Sequence, residues 1–203
     1  MLARLALLVS FVFLAACGSD SDNKDVDASP GDSGSDGPPI DMPPTGFTLT
    51  SQMLTANGTF ATDNTCRGTD VSPQLSWVNP PAGTMSFAVV LTDLDIGAGL
   101  LHWIIYDIPL ATTSLGADVD KLFQPADVAG AKQTFSFDNT TRGYRGPCPP
   151  SPELHHYQFD VYAIDSATLP NVVMDSTSSA VLVQIAMHDK AHASLAGSFM
   201  QPL

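Results

Sequence analysis

The sequence predicts a mainly β fold, an antiparallel β-sandwich with one C-terminal helix. Three observations carry this expectation. Apolar or alternating runs of strand length recur after residue 45, with Gly-, Pro-, Asn- and Asp-containing turns among them. Of the 21 acidic residues only Glu153 is glutamate, and aspartate favours turns and caps over helix interiors. A single segment, Ser178–Ser194, combines helical spacing of apolar residues with freedom from Gly and Pro. Composition alone does not separate a sandwich from a barrel.

In order along the chain, Phe47–Leu54 alternates at period two and reads as a strand. Phe60–Asp70 is polar and turn-like. Val71–Trp77 enters a short strand, and Asn79-Pro80-Pro81-Ala82-Gly83 is a turn. Met85–Leu91 and Leu100–Ile108 are continuous apolar runs, suited to strands buried on both faces; Pro109 ends the second. Thr134–Asp138 alternates briefly, and Tyr157–Ile164 is the fourth long strand. The helix is expected over Ser178–Ser194, with Gly197 freeing the backbone for a final short strand through Phe199.

The N-terminus is of another kind. One basic residue, Arg4, precedes an apolar stretch, Leu5–Ala16, too short to span a bilayer as a mature helix. It ends Leu14-Ala15-Ala16-Cys17, which resembles a bacterial lipobox, with residues 1–16 as signal peptide and Cys17 as the lipidated mature end. Ordinary cleavage after an Ala-x-Ala-like site is the plainer alternative. Residues 18–45 hold seven Asp and one Lys among mostly Ser, Gly and Pro. Such a composition buries too little apolar surface to fold, so residues 17–45 read as a solvated acidic tether and 46–203 as the one folded domain. Gly18 after Cys17, in place of Asp, favours the outer membrane of a bacterial envelope under the Gram-negative sorting rule.

The net charge of −13 drops to −8 for 46–203, with 14 acids against 6 bases. With no basic patch, nucleic acid and anionic membrane surfaces are poor partners. If Cys17 carries lipid, Cys66 and Cys148 remain as an even pair in an oxidising compartment. A disulfide and two separate buried thiols are both compatible with the sequence, and the Cα separation decides between them.

Candidate chemistry is sparse. Asp93 and Asp95, at period two after an apolar strand, share one face and are suited to binding a cation, sharing a proton, orienting a His, or simply capping a loop. His102 opens the next strand. His155 and Tyr157 share a face of theirs, with His156 on the other. Arg142–Pro150 packs two Gly and three Pro into nine residues, a backbone held in one shape beside those groups. There is no nucleophile elbow, phosphate loop, dinucleotide fingerprint or clustered Cys set for zinc, and no cofactor is expected.

Four ordered segments together resemble the phosphatidylethanolamine-binding protein family, in its bacterial Raf-kinase-inhibitor-like (YbhB/YbcL) branch. Cys66–Trp77 resembles the Cys-x-Gly-x-x-Ser-Pro-x-Leu-x-Trp opening, with one more residue between Gly68 and Ser72. Asp93-Leu94-Asp95-Ile96 through His102-Trp103 resembles the Asp-Pro-Asp-Ala-Pro loop and its His-Trp. Gly143–Pro150 with His155 and Tyr157 resembles the Gly-x-x-Gly-Pro-x-x-Pro loop and His-x-Tyr. His188 and Ala191–Phe199 resemble the C-terminal helix and ending. The resemblance implies a non-enzymatic pocket for small anions or phospholipid head groups. By motif position its residues are Asp93, Asp95, His102, Gly146, Pro147, His155 and Tyr157, with no metal. It also puts Cys66 and Cys148 in loops flanking the same region. Both prolines of the Asp-Pro-Asp-Ala-Pro loop are replaced, Leu94 and Gly97 standing near their places, which implies a less rigid loop. A metal-assisted or acid–base hydrolase using the same Asp and His groups, or an inhibitor of an envelope protein, are the alternatives. The expected partners are a small anion or head group and, through the lipid, the membrane.

Overall fold

The computed structural model describes residues 44–203. Cys17, the leader and the tether up to residue 43 lie outside the described residues. The elements are β1 (Thr48–Thr50), β2 (Gly58–Thr59), a 3-10 turn (Thr62–Asn64), β3 (Leu75–Val78), β4 (Ser86–Asp93), β5 (Leu100–Pro109), β6 (Ser114–Leu115), β7 (Lys132–Gln133), β8 (Leu154–Ile164), α1 (Ser178–His188) and β9 (Asp189–Met200). They form a three-stranded sheet, β1-β3-β6, and a six-stranded sheet, β2-β9-β8-β4-β5-β7. The fold is mainly β with one α-helix among the described residues, as the sequence predicts. All pairs are antiparallel except β2 with β9.

The large sheet is covered on both faces, which explains the uninterrupted apolar runs of β4 and β5. One face contributes Phe87, Val89, Leu91, Trp103, Ile105, Phe159 and Leu195 to a core shared with Leu49, Leu75 and Trp77 of the small sheet. The other face places Ala88, Val90, Ile104 and Tyr106 against Val181 and Ile185 of α1. Thr177 caps the helix by accepting the Ala180 N–H at 3.2 Å, a cap worth about 1 kcal/mol.

The structure corrects three boundaries. The helix stops at His188, not Ser194, and the rest of the Ala-rich segment belongs to β9, a strand of 12 residues in place of a short one. Ala193, Leu195, Gly197 and Phe199 alternate inward along β9, whose ladder with β8 runs from Asp189 to Met200. This pairing outweighs the helix propensity of three alanines. β1 ends at Thr50 because the Ser51 hydroxyl takes the Met53 N–H at 3.1 Å and turns the chain. Thr134–Asp138 makes only an isolated bridge, Phe135 to Arg142. The Asp138 carboxylate gathers the N–H groups of Thr140 and Thr141 at 2.9 and 2.8 Å into a turn instead.

Gln133 ties β7 to the core. Its side-chain oxygen accepts the Trp103 indole N–H at 2.6 Å, and its amide nitrogen donates to the carbonyls of Asp120 and Leu122 at 2.6 and 2.9 Å. The side chain is fully buried. Gln133→Ala is expected to lose roughly 2–5 kcal/mol, because a buried indole donor and two carbonyls lose their partner at once. Urea unfolding followed by tryptophan fluorescence measures this; an unchanged midpoint contradicts it.

Candidate functional site

The site forms where β8, β4 and β5 run side by side. Asp93, the last residue of β4, lies opposite Tyr157 of β8 and Leu100 of β5. His102 is brought in by a break in register. Leu91 pairs with Trp103 but Thr92 pairs with Leu101, so His102 is the extra residue of a bulge. A bulge re-aims side chains. Here it lets His102 face Tyr157, with ring centroids 5.4 Å apart, although its neighbour Trp103 packs into the same inner core.

Asp93 is buried and fully engaged. One oxygen accepts the Asp95 N–H at 2.9 Å, and the other meets His155 Nδ1 at 2.7 Å. The carboxylate therefore fixes His155 as the Nδ1–H form and leaves Nε2 for a ligand. Nε2 stands 3.4 Å from the exposed Glu153 carboxylate. Burial opposes charge on His155, but the bonds to Asp93 and Glu153 outweigh it, and its pKa is raised above 6.5. His102 is the reverse case. Burial lowers its pKa, although the Arg145 carbonyl at 2.9 Å from Nδ1 opposes the shift. That carbonyl holds the proton on Nδ1, so neutral His102 presents Nε2 as an acceptor. Only one of the two imidazoles favours the charged form.

Tyr157 stands between them, its ring 6.3 Å from that of His155. It is completely buried, and its hydroxyl, which lies near the Asp93 carboxylate and the Cys148 backbone, forms no well-aligned hydrogen bond with either. Burial and the neighbouring Asp93 carboxylate push its pKa well up, so it remains a phenol and a donor.

The Gly146–Pro147 turn adjoins this group through the Arg145 carbonyl on His102 Nδ1. The Gly146 N–H donates to Asp70 Oδ1 at 2.7 Å, and the Pro147 carbonyl accepts the Cys66 N–H at 3.1 Å. A Cβ on Gly146 would overlap the Asn64 carbonyl, so glycine is required by close approach and not by its φ. Cys66 and Cys148 are joined in a disulfide, with Cα atoms 5.4 Å apart, that fastens the same turn.

Of the seven sequence-predicted residues, Asp93, His102, Gly146, Pro147, His155 and Tyr157 come together. The Asp95 side chain does not. It turns outward and pairs with His156, accepting its backbone N–H and lying 3.1 Å from Nδ1. The chain bends at Leu94, whose N–H donates to the His156 carbonyl at 2.8 Å, so the strand's period-two pattern no longer governs Asp95. Sequence reasoning missed Glu153 and the Arg145 carbonyl. The first carried a signal, as the sole glutamate, two residues before His155. The second is a backbone group and carried none. Among the described residues no group of three or more His, Cys, Asp or Glu side chains is arranged to hold a metal ion.

The model of the family described as "Phosphatidylethanolamine-binding protein" matches residues 50–200. The chain belongs to that family. Within it, the relatives place it in the bacterial branch that includes YbcL and YbhB. YbcL of Escherichia coli is 36% identical over 140 residues, covering 66% of this chain and 72% of YbcL. A relative from Aquifex aeolicus is 40% identical over 107 residues, which cover 52% of this chain and 60% of that protein. LppC of Mycobacterium tuberculosis, named as a lipoprotein, is 32% identical over 125 residues, 60% of this chain and 57% of LppC. The crystal structure of E. coli YbcL superposes with a TM-score of 0.70 at 30% identity, covering 76% of this chain and 98% of YbcL.

Proton NMR titration of the histidine rings tests the electrostatics. His155 is expected to titrate above 6.5 and His102 below it. Removing the carboxylate in Asp93→Asn should move the His155 midpoint down and leave His102 less affected. Since the folded pKa of His155 is raised, its contribution to stability is present below pH 6.5 and fades as pH rises through the higher value. A His155 midpoint unmoved in Asp93→Asn contradicts the pairing.

Proposed function

We propose that the chain is a non-enzymatic, lipid-anchored binding protein whose pocket takes a phosphate-type anion, free or as a phospholipid head group. The observation that carries this reading is the buried Tyr157 hydroxyl without a partner, beside an oriented and protonatable His155. A buried donor left open in a folded protein is costly unless a ligand or water completes it. Tyr157 supplies one donor for a phosphate oxygen, and His155 Nε2 supplies a second, charge-assisted one when the ring is protonated. Neutral His102 supplies an acceptor through Nε2. Two donors and one acceptor suit a phosphate group that brings a donor of its own, the P–OH of a free phosphate or the ammonium of an ethanolamine head group. Asp93 serves as the orienting carboxylate, and the Gly146–Pro147 turn as a wall. Asp95 supports the loop in place of touching the ligand.

Glu153 holds the place an anion would take against His155 Nε2. An incoming phosphate displaces this exposed carboxylate, so Glu153 weakens binding while keeping His155 charged to higher pH.

Calorimetry with phosphate and phosphoethanolamine tests the pocket. Affinity should fall as pH rises through the raised His155 pKa, because the anion loses its imidazolium donor. His155→Ala should lose about 1–3 kcal/mol of binding below that value. Glu153→Gln should bind more tightly than wild type at about pH 5.5, where His155 is charged in both. Full affinity in His155→Ala removes this pocket as the binding site, and a stoichiometric divalent metal in the purified protein favours the hydrolase alternative.

The anchor rests on the Leu14-Ala15-Ala16-Cys17 sequence and on the lipoprotein name of the relative LppC. An envelope location, at the outer membrane given Gly18, would put the pocket near phospholipid head groups. Cys17→Ser is expected to move the protein from the detergent phase to the aqueous phase in detergent partitioning. Equal partitioning of mutant and wild type counts against Cys17 as the anchor.

A further inference from the structure

Phe137 belongs to two places. Its ring lies 4.7 Å from that of His102, and it also lines a separate cavity of about 400 Å³. That cavity is bounded by Leu101 of β5, by Ser136, Phe137 and Asn139 of the following loop, and by Ser178 and Ser179 at the start of α1. No residue lining it is charged.

Two independent features meet there. The first is the N-terminus of α1, an 11-residue helix. Thr177 satisfies the Ala180 N–H with its hydroxyl and the Val181 N–H with its carbonyl at 3.0 Å. The N–H groups of Ser178 and Ser179 precede the first intrahelical bond and have no partner within the helix. They carry the positive end of its dipole. The second feature is Ser136. It is only 2% exposed, and its hydroxyl is buried without a hydrogen-bond partner. The neighbouring Ser178 hydroxyl does not serve it, being committed to Thr134 Oγ1 at 3.0 Å and to the Phe135 carbonyl.

We propose that this cavity is a second, separate oxyanion subsite, in which the Ser178 and Ser179 N–H groups and the Ser136 hydroxyl hold a phosphate or carboxylate group. Helix N-termini bind such groups through these donors, and the buried hydroxyl gains the partner it lacks. The nearby acids do not abolish the site. Asp138 is engaged by Thr141 and lies 3.5 Å from Arg145 Nε, and Asp175 lies 4.0 Å from Arg142. No lysine or arginine lines the cavity, so affinity rests on neutral donors and is modest. The subsite shares no donor with the His155 pocket and does not depend on it.

Amide chemical shifts of the wild-type chain, titrated with inorganic phosphate and separately with acetate at constant ionic strength, test the proposal. The Ser136, Ser178 and Ser179 amides should follow one saturating curve with a dissociation constant on the order of 1 mM. Phosphate alone saturating the curve assigns the site to tetrahedral anions, and both ligands saturating it assigns it to oxyanions in general. Ser179→Glu, an exposed position, places a carboxylate at the same helix end. It should abolish the response while leaving the fold intact or raising Tm. Ser136→Ala should weaken binding several-fold. Shifts that rise without saturating, or that persist unchanged in Ser179→Glu, overturn the proposal.

Discussion

A carboxylate buried at the end of a strand must be compensated, and the site is organised around that requirement. Asp93 sits at the end of β4 with almost no exposed surface, between β8 and β5. It is satisfied by one backbone N–H and by His155. The backbone bond bends the chain after Asp93, and the imidazole bond fixes the tautomer of His155. Removing either partner leaves an uncompensated charge, which costs more than the pair gains. Asp93 thus couples fold and site: the buried charge is tolerated because His155 is there, and His155 is oriented because the charge is there.

Around this pair the large sheet acts as a rigid frame. Its two covered faces leave β4 and β5 no freedom of register, so the bulge at His102 is held in place by the packing of Trp103 on one side of it and Leu101 on the other. The Gly146–Pro147 turn is fastened from outside by Asp70, the Asn64 region and the Cys66–Cys148 disulfide. The two imidazoles then differ in chemistry because their partners differ. His155 faces carboxylates, whereas His102 faces a carbonyl in a deeper position. On the proposed reading, a site built from one potential cation, one phenol and one neutral acceptor takes an anion accompanied by a hydrogen-bond donor of its own.

Much of this was legible in the sequence, and the failures have physical causes. The buried strands β4, β5 and β8 announced themselves as apolar runs, and the resemblance brought six of the seven site residues to one place. Asp95 misled because alternation holds only while a strand continues, and the chain leaves β4 at Asp93. Ser178–Ser194 misled because alanine is accommodated both in a helix and in a strand paired with a long neighbour. The pairing of Ala191 and Ala193 with β8 is a long-range fact that no local window contains. Period two would have sent His102 and Trp103 to opposite faces, and the bulge that reverses this leaves no mark in the sequence. Glu153 was visible as the only glutamate, yet its position against His155 Nε2 needed coordinates.

The central claim is that Tyr157, His155 and His102 complete one another around a protonated phosphate. Crystals grown without phosphate and then soaked in it near pH 6 test this most directly. The account predicts tetrahedral density within hydrogen-bond reach of the Tyr157 hydroxyl, His155 Nε2 and His102 Nε2, with the Glu153 side chain displaced. Density at saturating phosphate that leaves Glu153 against His155 and the Tyr157 hydroxyl unpartnered would contradict it.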